Sequence, residues 1–314
     1  MDDALTIKVS HWQKRWKIPN VPWTITGYSR SAYRTGFYIP ELGMMLDAGH
    51  QNYNKPSVIL ITHTHTDHIS DLPKTLIDCN ERLTDAGEVI PVLVYGPADA
   101  EKPIVQYITS MFSLNAMTFL ACSSINWYKY VGLVPGQLLP QFVTNNATVS
   151  LEVFKCDHSI PTISYGIIEY KRKLLPEFAE LSGKEIALLR QNGVCITEEV
   201  SQKKLAYVCD TSIAVFDLNP GILAYNVVFI ECTFLYPDEY QNAKSTKHIH
   251  WFDLKPFVVN NPQITFMLFH FSQRYRDQEI DNFFKVEMEM APGVLQNLNW
   301  WTHTSPPVVV PVVP

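Results

Sequence analysis

Short apolar runs, separated by turns and by a few amphipathic stretches, dominate the pattern of hydrophobic and polar positions. The apolar runs predict strands at Gly36–Ile39, Gly43–Leu46, Val58–Thr62, Val92–Tyr95, Val149–Lys155, Ile163–Tyr170, Leu205–Cys209, Val227–Glu231 and Ile264–Phe269. The amphipathic stretches predict helices at Leu72–Leu83, Pro103–Met111, Ser182–Asn192 and Asp277–Met288. Because strands and helices mix throughout, we expect a layered α/β fold with mixed sheets.

Two segments differ from the rest of the pattern. Residues 171–204 lie between two predicted strands and have basic residues at both ends, so they are typical of a short basic insertion. Within them, Ser182 and Glu185 form the signature of a capping box, and Gly193 stands where a helix often ends. The Pro/Val-rich end at 303–314 cannot form a central strand, and we expect a flexible tail after a domain that spans 1–302.

Composition narrows the classes of protein that fit. The chain has 314 residues, of which 46% are apolar, and this suffices for one large α/β domain or two smaller ones. No apolar run approaches the roughly 18 residues that span a bilayer, so we expect no membrane partner. The six cysteines form no CxxC pair, which favours reduced thiols and a cytoplasmic location. The net charge of −6 argues against a generally basic surface but permits a local basic groove.

The most informative motif is His63-Thr64-His65-Thr66-Asp67-His68, which directly follows a predicted strand. His63 and His65 are two positions apart, so they point to the same side of an extended segment. Asp67 and His68 follow where the chain turns into the next helix. Imidazole and carboxylate ligands without thiolate favour zinc, with manganese or iron as alternatives, and four such side chains in six residues suit two adjacent ions.

Further ligand-type side chains occur where other predicted strands end. Asp47, His158, Asp210 and His270 each follow a buried apolar run. A single strand-end aspartate is as often a cap as a ligand. Four such residues in the same context predict that they join the histidine motif at one site.

These residues resemble the ligand pattern of the metallo-β-lactamase superfamily, in which HxHxDH is followed by a later His, Asp and His. The surroundings resemble tRNase Z (ribonuclease Z), the tRNA 3′-processing endonucleases, over about Gly27–Tyr275. The matching stretches are LDAG at 46–49, HTHTDH at 63–68, HSIPTISYG at 158–166, CDTS at 209–212, ECTF at 231–234 and HFSQRY at 270–275. The segment LSGKEIALLRQNGVCIT at 181–197 resembles the short, plant-type branch of that family.

The resemblance implies a four-layer αββα sandwich of two mixed sheets flanked by helices, with two zinc ions per chain. One ion would be held by His63, His65 and His158, and the other by Asp67, His68 and His270. Asp210 would bridge the ions, and Asp47 would orient a ligand histidine without binding metal.

The resemblance also implies a reaction: removal of the 3′ trailer from precursor tRNA by an activated water, which leaves a 3′-hydroxyl. Asp67 would hold the water and accept its proton. Glu231 and a histidine would form a proton relay to the leaving oxygen. Many bacterial members place that histidine directly before the glutamate, where this chain has Ile230, so the candidate here is His248, with His250 as the competing choice.

Substrate contacts are expected from Lys171, Arg172 and Lys173 at the start of the insertion and from Arg274 in HFSQRY. The insertion corresponds in position to an arm that grips tRNA in this family, although a solvated charged turn would have the same composition. Arg274 could contact a phosphate or pin its own loop. The resemblance further implies a homodimer. Two other functions remain open: a related hydrolase of small substrates such as a phosphodiesterase, and a non-catalytic RNA-binding relative.

Overall fold

The strands form two seven-stranded sheets that follow one another along the chain in a computed structural model, which describes residues 14–51, 54–79, 84, 87–121 and 125–303. The first sheet contains β1 (Trp16–Lys17), β2 (Thr24–Arg30), β3 (Arg34–Ile39), β4 (Met44–Leu46), β5 (Val58–Leu60), β6 (Val92–Pro97) and β7 (Tyr128–Leu133). The second contains β8 (Phe142–Val143), β9 (Thr148–Lys155), β10 (Ile163–Leu174), β11 (Thr197–Val208), β12 (Val227–Glu231), β13 (Thr265–Phe269) and β14 (Leu298–Trp300).

Both sheets repeat one pairing scheme. In the first sheet, β1 to β4 pair antiparallel and β4 to β7 pair parallel. In the second, β8 to β11 pair antiparallel and β11 to β14 pair parallel. Strand β4 therefore corresponds to β11, β5 to β12 and β6 to β13. The carboxyl ends of parallel strands meet at one edge of each sheet, and this edge carries the ligand-type residues.

Eight α-helices belong to the described part of the chain. They are α1 (Thr66–Ile69), α2 (Leu72–Asp78), α3 (Glu101–Ala116), α4 (Gly183–Gln191), α5 (Val215–Leu218), α6 (Tyr240–Thr246), α7 (Trp251–Asn260) and α8 (Asp277–Met290).

The buried apolar side chains form three clusters, one between each pair of adjacent layers of the sandwich. A central cluster joins the facing surfaces of the two sheets and includes Phe37, Tyr207 and Phe229. A second cluster lies between the first sheet and helices α2 and α3, and a third lies between the second sheet and helices α5, α7 and α8. Alternate residues of a strand enter different layers: Leu60 faces the central cluster and Ile59 faces the helices. The predicted four-layer αββα order is confirmed.

All nine predicted strands are present, but five further strands were not predicted: β1, β2, β7, β8 and β14. They are two or three residues long, interrupted by glycine, or half exposed, and so they lack an apolar signal. Helix α3 is longer than predicted, and α8 extends two residues further. The helix predicted over Leu72–Leu83 ends at Asp78, with Cys79 as its cap, and 80–83 lie outside the described residues.

The two strands that flank the predicted insertion are longer than predicted, because β10 and β11 continue beyond the sheet as a two-stranded ribbon. Strand β10 pairs with β9 only as far as Tyr170, whereas its pairing with β11 continues to Leu174, opposite Thr197. Helix α4 lies at the far end and begins at the predicted capping box, in which the Ser182 amide donates to Glu185 Oε2 at 2.8 Å. We call residues 171–204 the arm.

No helix in the described ranges has the length and apolar character needed to cross a bilayer. From residue 304 onward, the predicted Pro/Val-rich tail lies outside the described residues.

Candidate metal centre

Three strand ends that carry ligand-type residues share an unusual backbone conformation. Asp47 after β4, Asp210 two residues after β11 and His270 after β13 have φ values of 54°, 42° and 63°. Non-glycine residues in the left-handed region cost of order 1–3 kcal/mol and cluster at functional sites. The corresponding ends of β4 and β11 therefore present an aspartate in the same conformation, once in each half of the fold.

The histidine loop is fixed against the end of β4 by a close backbone approach. A Cβ atom at Gly49 would lie 1.6 Å from the carbonyl oxygen of Asp67, so only glycine fits there. The Ala48 amide donates to the His68 carbonyl at 2.7 Å, and the Asp71 amide donates to the Ala48 carbonyl at 2.8 Å. These contacts fix α1, which carries Asp67 and His68, relative to Asp47.

One oxygen of Asp210 faces the first predicted ligand trio. Its Oδ2 lies 3.4 Å from His63 Nε2 and 3.7 Å from His158 Nε2. His65 Nδ1 lies 3.0 Å from His63 Nε2 and 3.3 Å from His158 Nε2. Three imidazole nitrogens and one carboxylate oxygen thus converge on one point, as four-coordinate zinc requires.

The other oxygen of Asp210 faces the second predicted trio. Its Oδ1 lies 3.2 Å from His270 Nε2 and 3.5 Å from His68 Nε2. Asp67 Oδ2 lies 3.3 Å from His68 Nε2 and 3.7 Å from His270 Nε2. The structure therefore brings all seven predicted ligands together, with Asp210 between the two groups.

Two buried imidazole nitrogens of this cluster have an environment that suits a bound cation. Among the described residues, His68 Nε2 and His270 Nε2 are buried without a hydrogen-bond partner, although carboxylate oxygens lie close to both. A buried polar atom without a partner is costly, and a cation at the point where these atoms converge would remove that cost.

Electrostatics favour the ligand form of the first trio and of Asp210. Burial lowers the pKa of His63 to about 4, and it lowers the pKa of His65 and His158 as well, so these imidazoles are neutral at pH 7. Although burial opposes ionisation, the imidazoles of His270 and His68 hold the pKa of Asp210 well below its usual value. The pKa of His68 moves the other way from those of the first trio: although burial opposes it, Asp210 and Asp47 raise that pKa well above its usual value.

Asp47 fixes the orientation of the His68 imidazole through the nitrogen that faces away from Asp210. It is fully buried, and its Oδ2 lies 3.0 Å from His68 Nδ1, which turns Nε2 toward Asp210. Its carboxylate also accepts from the Thr62 amide at 2.8 Å and from the Tyr207 hydroxyl at 2.8 Å. Cys209 Sγ lies 3.9 Å from the same Nδ1 and donates to Asp210 Oδ1 at 3.1 Å, and its side chain packs in the central apolar cluster, where burial raises its thiol pKa.

Glu231 has a similar set of partners in the second half. Its Oε1 lies 2.9 Å from His248 Nδ1 and accepts from the Thr211 amide at 2.7 Å. Its Oε2 accepts from the Thr233 hydroxyl at 2.6 Å and from the Ile249 amide at 3.2 Å.

The position of His248 places it beside the ligand cluster. Its ring centroid lies 5.1 Å from that of His158 and 5.5 Å from that of His270. Although burial opposes it, Glu231 raises the pKa of His248 to about 9. His250 is placed differently: its Nδ1 accepts from the Phe252 amide at the start of α7, and its Nε2 donates to the Tyr236 carbonyl. The structure thus brings His248 rather than His250 to Glu231.

Acidic residues lie close to the predicted substrate-binding residues of the arm. In the backbone register of the ribbon, Arg172 lies opposite Glu199 and Lys173 opposite Glu198, while Lys171 Nζ lies 2.9 Å from Glu169 Oε2. The arm contains seven basic and five acidic residues, so its net charge is small.

The Arg274 side chain is exposed to solvent and is also held by contacts with Glu239 and Phe234. Its guanidinium donates to Glu239 Oε1 at 2.9 Å and lies over the ring of Phe234, 5.8 Å from the centroid. Its side chain is nevertheless 57% exposed, so Arg274 holds the HFSQRY loop and still presents charge to solvent.

Three residues that support the site were not predicted from the sequence. Thr233 lies between Glu231, His248 and His270, Tyr207 contacts Asp47, and Lys247 contacts the His158 loop. Thr233 belongs to the ECTF stretch, whereas the other two contacts join segments about 90 to 160 residues apart and leave no local signal.

No family model matches this chain. The tRNase Z TRZ1 of Arabidopsis thaliana is 27% identical over 263 residues, which are 82% of this chain and 88% of that protein. The chloroplastic tRNase Z TRZ2 of the same plant is 26% identical over 285 residues, or 87% of this chain and 74% of its own length.

Among solved structures, the metallo-β-lactamase fold protein YhfI from Bacillus subtilis superposes with a TM-score of 0.52 at 14% identity, over 88% of this chain and 95% of its own. At that identity the match shows the fold alone. The chain therefore has the metallo-β-lactamase fold, and over most of its length its sequence is similar to the tRNase Z family.

Proposed function

We propose that this chain is a metal-dependent endoribonuclease that removes the 3′ trailer from precursor tRNA. The observation that carries this proposal is the pair of ligand trios around Asp210, with the Glu231–His248 pair beside them. The similarity to tRNases Z over most of the chain supports the choice of substrate.

The ligand assignment follows the geometry. One ion would be bound by His63, His65 and His158, and the other by Asp67, His68 and His270, with Asp210 shared. Zinc suits imidazole and carboxylate ligands, and manganese and iron are the alternatives. Asp47 would hold His68 in its binding orientation.

When bound, two divalent ions would lower the pKa of a water and neutralise charge on the scissile phosphate. Asp67 would orient that water and accept its proton as the new bond to phosphorus forms. His248, held by Glu231, would donate its Nε2 proton to the departing oxygen, so the RNA keeps a 3′-hydroxyl. No side chain forms a covalent bond to the substrate in this scheme.

Substrate grip and assembly are also proposals. Lys171, Arg172, Lys173 and Arg274 would contact the RNA backbone, the first three from the arm of one subunit of a homodimer. The acids opposite the arm lysines limit this contribution. A cytoplasmic location is supported by the five described cysteines, all of which are free thiols.

A hydrolase of small phosphodiesters is the second candidate, because the same ligands serve it and the arm carries little net charge. A non-catalytic RNA-binding relative is disfavoured, since the complete ligand set is assembled.

The test compares three substrates with the metal-loaded protein: a precursor tRNA with a 3′ trailer, the same tRNA without it, and bis(p-nitrophenyl) phosphate. We expect cleavage of the first at the trailer junction. Cleavage of the aryl diester alone would favour the small-substrate hydrolase. His65→Ala should lose much of the metal and nearly all cleavage, and full metal occupancy in that variant would contradict the ligand assignment.

A further inference from the structure

Lys247 occupies a backbone conformation that glycine would adopt more easily. It terminates α6 with φ of 55° and directly precedes His248. The His248 amide donates to the Ala243 carbonyl at 3.0 Å, so the turn at Lys247 sets the direction in which His248 leaves the helix. A lysine in this conformation is disfavoured relative to glycine.

The Lys247 side chain reaches across to the loop that carries His158. Its Nζ lies 2.8 Å from Asp157 Oδ1 and 3.5 Å from the His158 carbonyl oxygen. The Lys247 carbonyl in turn lies 3.4 Å from His158 Nδ1. One residue therefore contacts the His158 loop with both its backbone and its ammonium group.

Asp157 is anchored independently of Lys247. Its Oδ2 accepts from the Ser212 hydroxyl at 2.8 Å, its amide donates to Thr211 Oγ1 at 3.0 Å, and its carbonyl accepts from the Ser212 amide at 3.0 Å. Thr211 and Ser212 directly follow Asp210, the shared carboxylate. Asp157 is thus fixed to the ligand cluster, and Lys247 ties the His248 segment to it.

We propose that Lys247 is a positioning residue, whose ion pair with Asp157 holds the His248 imidazole at the ligand cluster for proton donation to the leaving oxygen. This inference rests on the proposed function. Both side chains are partly exposed, at 45% and 37%, so the pair adds little to stability, and its contribution is geometric.

The experiment measures kcat and KM for Lys247→Met, Lys247→Gly and Lys247→Arg on trailer-bearing tRNA and on bis(p-nitrophenyl) phosphate. The tRNA leaving oxygen needs a proton, whereas p-nitrophenolate departs without one. Misplacement of a reacting group by about 1 Å can lower rates by about 10²-fold, so we expect kcat on tRNA to fall about 10–100-fold in the Met and Gly variants. Hydrolysis of the aryl diester, metal content and KM should each stay within about threefold.

Two variants separate positioning from simple packing or charge. Lys247→Gly relieves the left-handed backbone, so its melting temperature should be unchanged or higher while tRNA cleavage falls. Lys247→Arg keeps a cation of similar reach and should restore most of kcat.

Asp157→Asn distinguishes positioning from direct contact between Lys247 and RNA. It removes the ion pair but keeps the Lys247 charge, so positioning predicts a loss of kcat similar to that of Lys247→Met, and the double variant should lose little more. A rise in KM without a fall in kcat, or normal turnover in Lys247→Gly, would overturn the proposal. If the unmodified protein cleaves only the aryl diester, the proposed function fails first, and the role of Lys247 in tRNA cleavage fails with it.

Discussion

Two buried carboxylate–imidazole pairs lie in the two halves of this fold and differ in what surrounds the imidazole. Asp47 holds His68 after the parallel strands of the first sheet, and Glu231 holds His248 after those of the second. Both carboxylates are fully buried and accept additional hydrogen bonds from backbone amides and hydroxyls. The same construction therefore fixes the orientation of both rings.

The two pairs differ in the groups that surround the imidazole on the side away from its buried carboxylate. His68 is completely buried, and its Nε2 lies within 3.5 Å of carboxylate oxygens from Asp67 and Asp210. His248 is 13% exposed and lies beside the rings of His158 and His270, with Glu231 as its carboxylate partner. A buried carboxylate thus sets the direction of each imidazole, and in the proposed function the surroundings of the other nitrogen would separate metal binding by His68 from proton donation by His248.

The largest expected effect comes from Asp67→Ala, which removes the carboxylate that faces His68 and His270. Loss of proton acceptance alone should lower kcat on trailer-bearing tRNA about 10²–10⁴-fold, and lost coordination should add to that. Binding of the tRNA, measured without turnover, should change little because the proposed RNA contacts lie mostly elsewhere. Asp217→Ala, at an exposed position of α5, is the matched control. Near-normal turnover of Asp67→Ala would rule out the mechanism.

Asp47→Ala and Glu231→Ala test directly whether the two carboxylate–imidazole pairs differ in their importance for metal binding. Asp47→Ala leaves His68 unoriented, so metal affinity should fall about 10–100-fold. Glu231→Ala should leave metal affinity near normal because its imidazole partner is no ligand. Metal content after dialysis against a weak chelator measures both. Equal metal loss in the two variants would show that His248 also binds metal, as the grouping of Glu231, His248 and His270 would permit.

The third prediction concerns the proposed proton relay formed by Glu231 and His248. Glu231→Ala and His248→Ala should each lower kcat on tRNA by about 10²-fold or more, since both remove proton donation. The double variant should lose little more, because residues that act as a unit are not additive. His250→Ala is the control, as its ring is occupied by local contacts. If His250→Ala abolishes cleavage and His248→Ala does not, the donor assignment must move; if both are harmless, the metal ions alone stabilise the leaving oxygen.

The sequence singled out the residues that meet around Asp210 because their signals are local, whereas their division into two trios came from the resemblance to a known family. The histidine motif has its own spacing, and Asp47, Asp210 and His270 each follow an apolar run that marks a strand. The choice between His248 and His250 could not be made from spacing, since it depends on which ring meets Glu231. The same holds for Lys247 and Asp157, which are 90 residues apart and meet only when two loops approach.

The surroundings of the basic residues in the arm could not be predicted from the sequence, for a related reason. A basic run at 171–173 suggests a binding surface until the ribbon register places Glu198 and Glu199 opposite it. Register depends on the length of the intervening segment, which contains its own helix, so no local pattern reveals it.

The smallest expected effect is in the arm, away from both carboxylate–imidazole pairs. Lys173→Gln should raise KM for precursor tRNA by no more than about threefold, because exposed charges interact weakly and an acid, Glu198, lies opposite Lys173 in the ribbon. Glu198→Gln removes that acid and should lower KM and steepen its dependence on salt, since an uncompensated cation contacts phosphate more strongly. Neither change should alter kcat or hydrolysis of the aryl diester. A tenfold rise in KM for Lys173→Gln would instead make the arm a principal RNA contact despite its small net charge.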